Sequence, residues 1–164
     1  TLEELMEIKG IGKVKAIQLK AICELAVRLA RPNISKGTVI KNTDQIAQMV
    51  LGEFQYEKNE VARLFLLNAR NCLLKIEDIA FGGTSFVNLD IKAVVSSAIK
   101  VGANRLILVH NHPSGDPTPS EQDFRATDRI YEAADIMGIQ LLDHVIIGKN
   151  NQFESVTFRN ERRG

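Results

Sequence analysis

The chain has 164 residues, of which 45% are hydrophobic and 25% charged, with a formal net charge of +1; that is enough for one full domain and a small appendage. Nothing in it approaches the ~18 consecutive apolar residues of a membrane span, and the N-terminus has no apolar signal-peptide core. Two cysteines far apart, Cys23 and Cys72, exclude a disulfide scaffold and a thiolate zinc site and fit a reducing, cytoplasmic setting. The absence of Trp and the few other aromatics argue against a base-stacking platform for single strands.

In chain order, residues 2–31 carry helical periodicity, interrupted by Gly10-Ile11-Gly12. The pattern is already helical at the first residues, so further chain upstream is expected. Between Lys9 and Arg31 stand six basic residues (Lys9, Lys13, Lys15, Lys20, Arg28, Arg31) and one acid, Glu24. Pro32 and the polar run after it read as a linker over 32–38, leaving 39–164 as the main domain. There, Thr43 is expected to cap a short helix closed near Gly52. Residues 61–67 and 72–80 predict a hairpin, and residues 90–101 an amphipathic helix. A continuously apolar strand is expected at 105–109. A long helix over 120–137 and two strands, at 139–147 and 153–158, complete an α/β sandwich around one sheet.

Chemistry concentrates in one stretch, His110-Asn111-His112-Pro113-Ser114-Gly115-Asp116-Pro117-Thr118-Pro119-Ser120-Glu121-Gln122-Asp123. Residues i and i+2 of an extended chain share a face, so His110 and His112 can converge on one metal ion. Ser120 and Asp123, three apart at a helix start, project from one side of its first turn. Taken alone, Ser120 to Asp123 also makes a capping box, and a cap and a ligand are compatible. Two histidines and one aspartate leave a fourth position for water, the open arrangement of a catalytic zinc site. His144, beside Asp143 on an apolar strand, suits a supporting role rather than a fourth ligand. Asp116 reads as a turn residue that could instead orient a ligand histidine.

The pattern HxH, seven residues, SxxD resembles the JAMM signature of JAB/MPN metalloprotease-like domains. The wording HNHPSGDPTPS, with LLDHVIIG downstream, is similar to the bacterial RadC family within them. The resemblance runs from about Ile40 to the C-terminus. It implies a mixed-sheet, cytidine-deaminase-like α-β-α sandwich and one zinc ion per chain on His110, His112 and Asp123. It also implies that Ser120 holds the substrate carbonyl or its oxyanion, and that an upstream glutamate handles the proton of the attacking water. By position that glutamate is Glu60, 50 residues ahead of His110; Glu77, 33 ahead and inside the second strand, is the alternative. Asn111 departs from the Ser or Thr of many eukaryotic relatives, which weakens any analogy with deubiquitinases.

The Gly10-Ile11-Gly12 turn resembles a helix-hairpin-helix element, in which glycines admit a DNA phosphate to the second helix's N-terminus with lysines nearby. Gly10, Gly12, Lys13 and Lys15 are the residues such a contact would use. The leading expectation is a zinc hydrolase that cuts a peptide or isopeptide-like amide in a peptide or protein substrate. The competing one is a DNA-associated module, of the kind long labelled DNA repair, whose metal site is structural or vestigial. A nuclease reading of His110-Asn111-His112 fails because in HNH nucleases those letters are spread over a ββα motif.

Overall fold

In the computed structural model, which describes residues 1–30, 35–79 and 89–156 (the side chains of 27–30 apart), alternation along the strands sorts the core into two layers. Contacts divide the chain into two units, Thr1–Asn33 and Ile34–Gly164. The first holds α1 (Leu2–Met6) and α2 (Lys13–Ala30). Gly10, at φ +90°, turns the chain between them in a backbone region that disfavours any side chain. Ala16 is fully buried in this unit, whereas Val14, Ile17, Ile22 and Leu25 of α2 stay exposed.

The second unit is built on five strands: β1 (Ala62–Leu67), β2 (Leu73–Ile79), β3 (Arg105–Asn111), β4 (Gln140–Ile147) and β5 (Phe153–Ser155). Their order in the sheet is β2-β1-β3-β4-β5. Only β3 and β4 run parallel, with Leu108 opposite His144; the other neighbours are antiparallel, with Ala62 opposite His110. Helix α3 (Thr43–Phe54) covers one face, packing Ile46, Val50, Leu51 and Phe54 on Phe65, Ile107, Val109 and Val145. Helices α4 (Ile91–Lys100) and α5 (Glu121–Ile136) cover the other, where Val94, Ala98, Ile130 and Ala134 meet Leu64, Leu66, Leu106 and Leu108. This is the mixed-sheet, three-layer sandwich expected from the sequence. Among the described residues no helix is long and apolar enough to cross a membrane.

Two local expectations change. Asn42 rather than Thr43 caps α3, accepting from the Gln45 N–H at 2.9 Å; the Thr43 hydroxyl instead donates to Asp143 of β4. The helix also runs through Gly52 to Phe54, because the apolar residues on either side of the glycine pay for its helix cost by packing on the sheet. The predicted strand ends at Ala80 and beyond Val156 lie outside the described residues.

Arg63 of β1 ties three elements together. Its guanidinium donates to Glu53 of α3 at 2.9 and 3.3 Å and to Asp78 of β2, and it stacks 4.8 Å from the Phe54 ring centroid. Arg63→Met keeps the apolar stem but removes both guanidinium bonds to the Glu53 carboxylate, whose side chain is 15% exposed. A loss of about 2–3 kcal/mol in urea unfolding is expected.

Candidate metal centre

Strand β3 places two imidazoles at its C-terminal end because its side chains alternate: Leu106, Leu108 and His110 face the α5 layer, Ile107 and Val109 the α3 layer. His112 follows just beyond the strand, held by its N–H donating to Ile147 O at 2.9 Å. Asp123 comes from the first turn of α5, whose start is fixed by Ser120. The Ser120 hydroxyl accepts from the Asp123 N–H at 3.3 Å, and the Ser120 N–H donates to Asp123 Oδ2 at 2.7 Å. The capping box and the cluster are therefore one structure. Ligand atoms of His110, His112 and Asp123 all lie within 4.8 Å of one another.

The hydrogen bonds around this cluster fix which ring nitrogens carry protons. Thr127, one turn after Asp123, has its hydroxyl 2.6 Å from the Asp123 backbone carbonyl and 2.6 Å from His144 Nδ1. A carbonyl only accepts, so the hydroxyl donates to it and accepts from His144 Nδ1–H. His144 is fully buried, and burial pushes its imidazole well below the ordinary range, so the ring is neutral and its Nε2 is an acceptor. It accepts from His110 Nδ1 at 2.7 Å. Burial likewise pushes His110 down, and its Nε2 faces Asp123 Oδ1 at 3.2 Å. His112 donates from Nδ1 to the Asp116 carbonyl at 2.8 Å and turns Nε2 toward Asp123 Oδ2 at 3.4 Å.

Against the desolvation that burial imposes, the two histidines and the Ser120 hydroxyl hold the Asp123 carboxyl well below the usual carboxylate range. Asp123 in turn raises His112, outweighing its desolvation. The donor set of two imidazole nitrogens and one carboxylate oxygen suits a divalent transition metal, so this buried group could hold one.

Around the cluster, Glu60 is half-buried two residues ahead of β1, and its carboxylate favours the charged form of both His110 and His112. Glu77 lies elsewhere, on edge strand β2 opposite Leu64, hydrogen-bonded to Lys75 at 2.9 Å. The Ser120 hydroxyl donates to Asp123 Oδ2 at 2.6 Å. Asp116 takes both expected roles, because its carbonyl orients His112 while its carboxylate closes a turn on the Thr118 N–H at 2.9 Å. The loop is pressed onto the turn after β4: a Cβ on Gly148 would sit 2.5 Å from the Gly115 carbonyl oxygen. Beside it an open cleft of about 430 Å³ is lined by Asp116, Pro117, Thr118, Asn151, Gln152 and Phe153. In the N-terminal unit, the Lys15 ammonium donates to the Gly10 carbonyl at 3.2 Å, Lys13 is exposed, and Gly12 begins α2's hydrogen bonds by accepting from the Ala16 N–H. Thr127 escaped the sequence reading, although its place four residues after Asp123 puts it on the same helix face.

Residues 40–162 match the family profile described as "RadC-like JAB domain". Among curated proteins, the chain is 44% identical over 160 residues to a UPF0758 protein of Moorella thermoacetica, covering 98% of this chain and 69% of the relative. It is 40% identical over 149 residues to one of Alkaliphilus metalliredigens (91% and 64%). It is 41% identical over 156 residues to one of Desulforamulus reducens (95% and 68%). The chain thus spans about two thirds of these relatives' length.

Because Thr127 sets the tautomers of both His144 and His110, Thr127→Val is expected to weaken metal affinity roughly 10–100-fold. Thr127→Ser, which keeps the hydroxyl, should restore it; competition with a chromogenic chelator measures both.

Proposed function

The chain belongs to the RadC-like JAB domain family, and from that premise we propose that it is a zinc-dependent hydrolase of the JAMM type, cleaving a peptide or isopeptide amide. The observation that carries the reading is the buried convergence of His110, His112 and Asp123, with hydrogen bonds that turn Nε2 of both histidines inward. When bound there, zinc supplies Lewis acidity and lowers the pKa of a coordinated water from 15.7 to about 7.

The chain's own residues do the rest. Glu60, whose charge acts on both histidines, takes the proton of the attacking water and returns it to the leaving amine, as general base and then general acid. Asp123 keeps its negative charge through its contacts with Ser120 and the imidazoles, the form in which a carboxylate ligates. The Ser120 hydroxyl, which donates to Asp123, reaches a substrate oxyanion by turning away from that carboxylate. The open cleft beside the Asp116–Thr118 loop, whose Asp116 carbonyl holds His112, offers room for an extended substrate.

A second reading is favoured by the basic excess between Lys9 and Arg31 and by the left-handed glycine at the α1–α2 turn. In it the N-terminal unit binds DNA phosphates without sequence preference, through Gly10, Gly12, Lys13 and Lys15, and the metal centre is structural. Duplex binding that weakens steeply with salt and falls several-fold in Lys13→Glu is its expected signature.

The hydrolase reading is tested by metal content and amide hydrolysis together. Wild-type protein purified without chelators should carry zinc, and His112→Ala should lose both zinc and activity. Glu60→Gln should keep zinc and lose on the order of 100-fold or more in kcat. No uptake of zinc by the wild type, or full activity in Glu60→Gln, would overturn it.

A further inference from the structure

Asn111 stands between the two histidines and is 1% exposed. Its side chain goes to the opposite layer from theirs and spends its hydrogen bonds on the backbone that leads from α3 into β1. Oδ1 accepts from the Val61 N–H at 2.7 Å, and Nδ2 donates to the Asn59 carbonyl at 3.1 Å and the Glu57 carbonyl at 3.4 Å. The amide's orientation is unambiguous, since an N–H must meet its oxygen and two carbonyls its nitrogen. The main-chain N–H of Asn111 also donates to Val61 O at 3.3 Å.

The Asn59 carbonyl and the Val61 N–H belong to the two peptide units on either side of the Glu60 α-carbon. Rotation about either backbone bond of Glu60 therefore breaks a bond to the same side chain. The β1–β3 ladder begins only at Ala62 opposite His110, so regular pairing does not reach Glu60. The Asn111 amide extends the pairing, standing in for a peptide group two residues past the end of the ladder. No shorter side chain spans that gap, and an apolar one of equal size would leave three backbone groups without these bonds.

We propose that Asn111 is a positioning residue: by pinning both peptide units that flank Glu60, it holds that carboxylate against the His110–His112–Asp123 cluster. One strand end thereby presents the metal-binding imidazoles on one face and places the proton-handling group from the other. The inference rests on the reading of Glu60 as that group.

The test uses the full chain loaded with cobalt(II) and labelled with ¹³C at the glutamate side-chain carboxyls. Paramagnetic broadening falls steeply with distance from the metal, and the Glu60 signal is identified by its absence from Glu60→Gln. Wild type should show a strongly broadened Glu60 signal. Asn111→Ser, at equal cobalt content, should lose that broadening while Glu77 is unchanged. Asn111→Asp, isosteric and still able to accept from Val61 but not to donate to Asn59 and Glu57, should lose it as well, and it serves if the serine variant does not fold. Equal broadening in wild type and variants, even with lowered stability, would overturn the positioning role. A sharp Glu60 signal in cobalt-loaded wild type would overturn the role of Glu60 itself, and no cobalt uptake would overturn the metal reading; either result takes this inference with it.

Discussion

Because side chains alternate across a strand, the end of β3 sends consecutive residues to opposite layers of the sandwich. His110 and His112 go toward α5, and Asn111 goes toward the connection from α3 to β1. Six of the strand's seven residues are buried, and it is paired on both sides, antiparallel to β1 and parallel to β4. That pairing leaves the strand no freedom to slide. A shift of one residue would exchange imidazoles for amide and also bring Ile107 and Val109 into the wrong core layer. The same apolar packing that stabilises the sheet thus selects the one register in which the cluster exists.

Charge is handled by a directed set of hydrogen bonds rather than by solvent. The Asp123 carbonyl fixes the Thr127 hydroxyl, which fixes His144, which fixes His110. The sequence begins and ends on two residues of the same cluster, so helix α5 and strands β3 and β4 are aligned by protons as well as by packing. In a buried place such a chain is strong when every member is satisfied and costly when one is missing.

Most of the fold was legible in the sequence because its signals are periodic and strong. The apolar run at 105–109 reads as a buried strand, and the helix start placed at 90 and the cap at Ser120 are repeated in the structure to within a residue. The start of α3 was misread because Asn42 and Thr43 both make good caps, and only the distant Asp143 decides which hydroxyl or amide is free to do so. Its end was misread because a glycine inside a helix costs little when its neighbours are buried. The cluster itself was readable from HxH and SxxD spacing, since both depend on local geometry. Thr127 and Asn111 were not, for different reasons. Thr127 matters through His144, 17 residues away. Asn111 matters through a register in which Ala62 opposes His110, and in a motif it looks like a spacer.

The loop bearing His112 is fastened to the turn after β4 by the Lys149 N–H donating to the Gly115 carbonyl, by the His112 N–H on Ile147 O, and by a bare glycine surface at Gly148. His112 cannot swing outward while those contacts hold. The position of this imidazole is therefore held by a turn that contributes none of the cluster's ligand atoms, so substitutions in 148–152 can loosen the cluster while leaving each of its side chains in the sequence untouched.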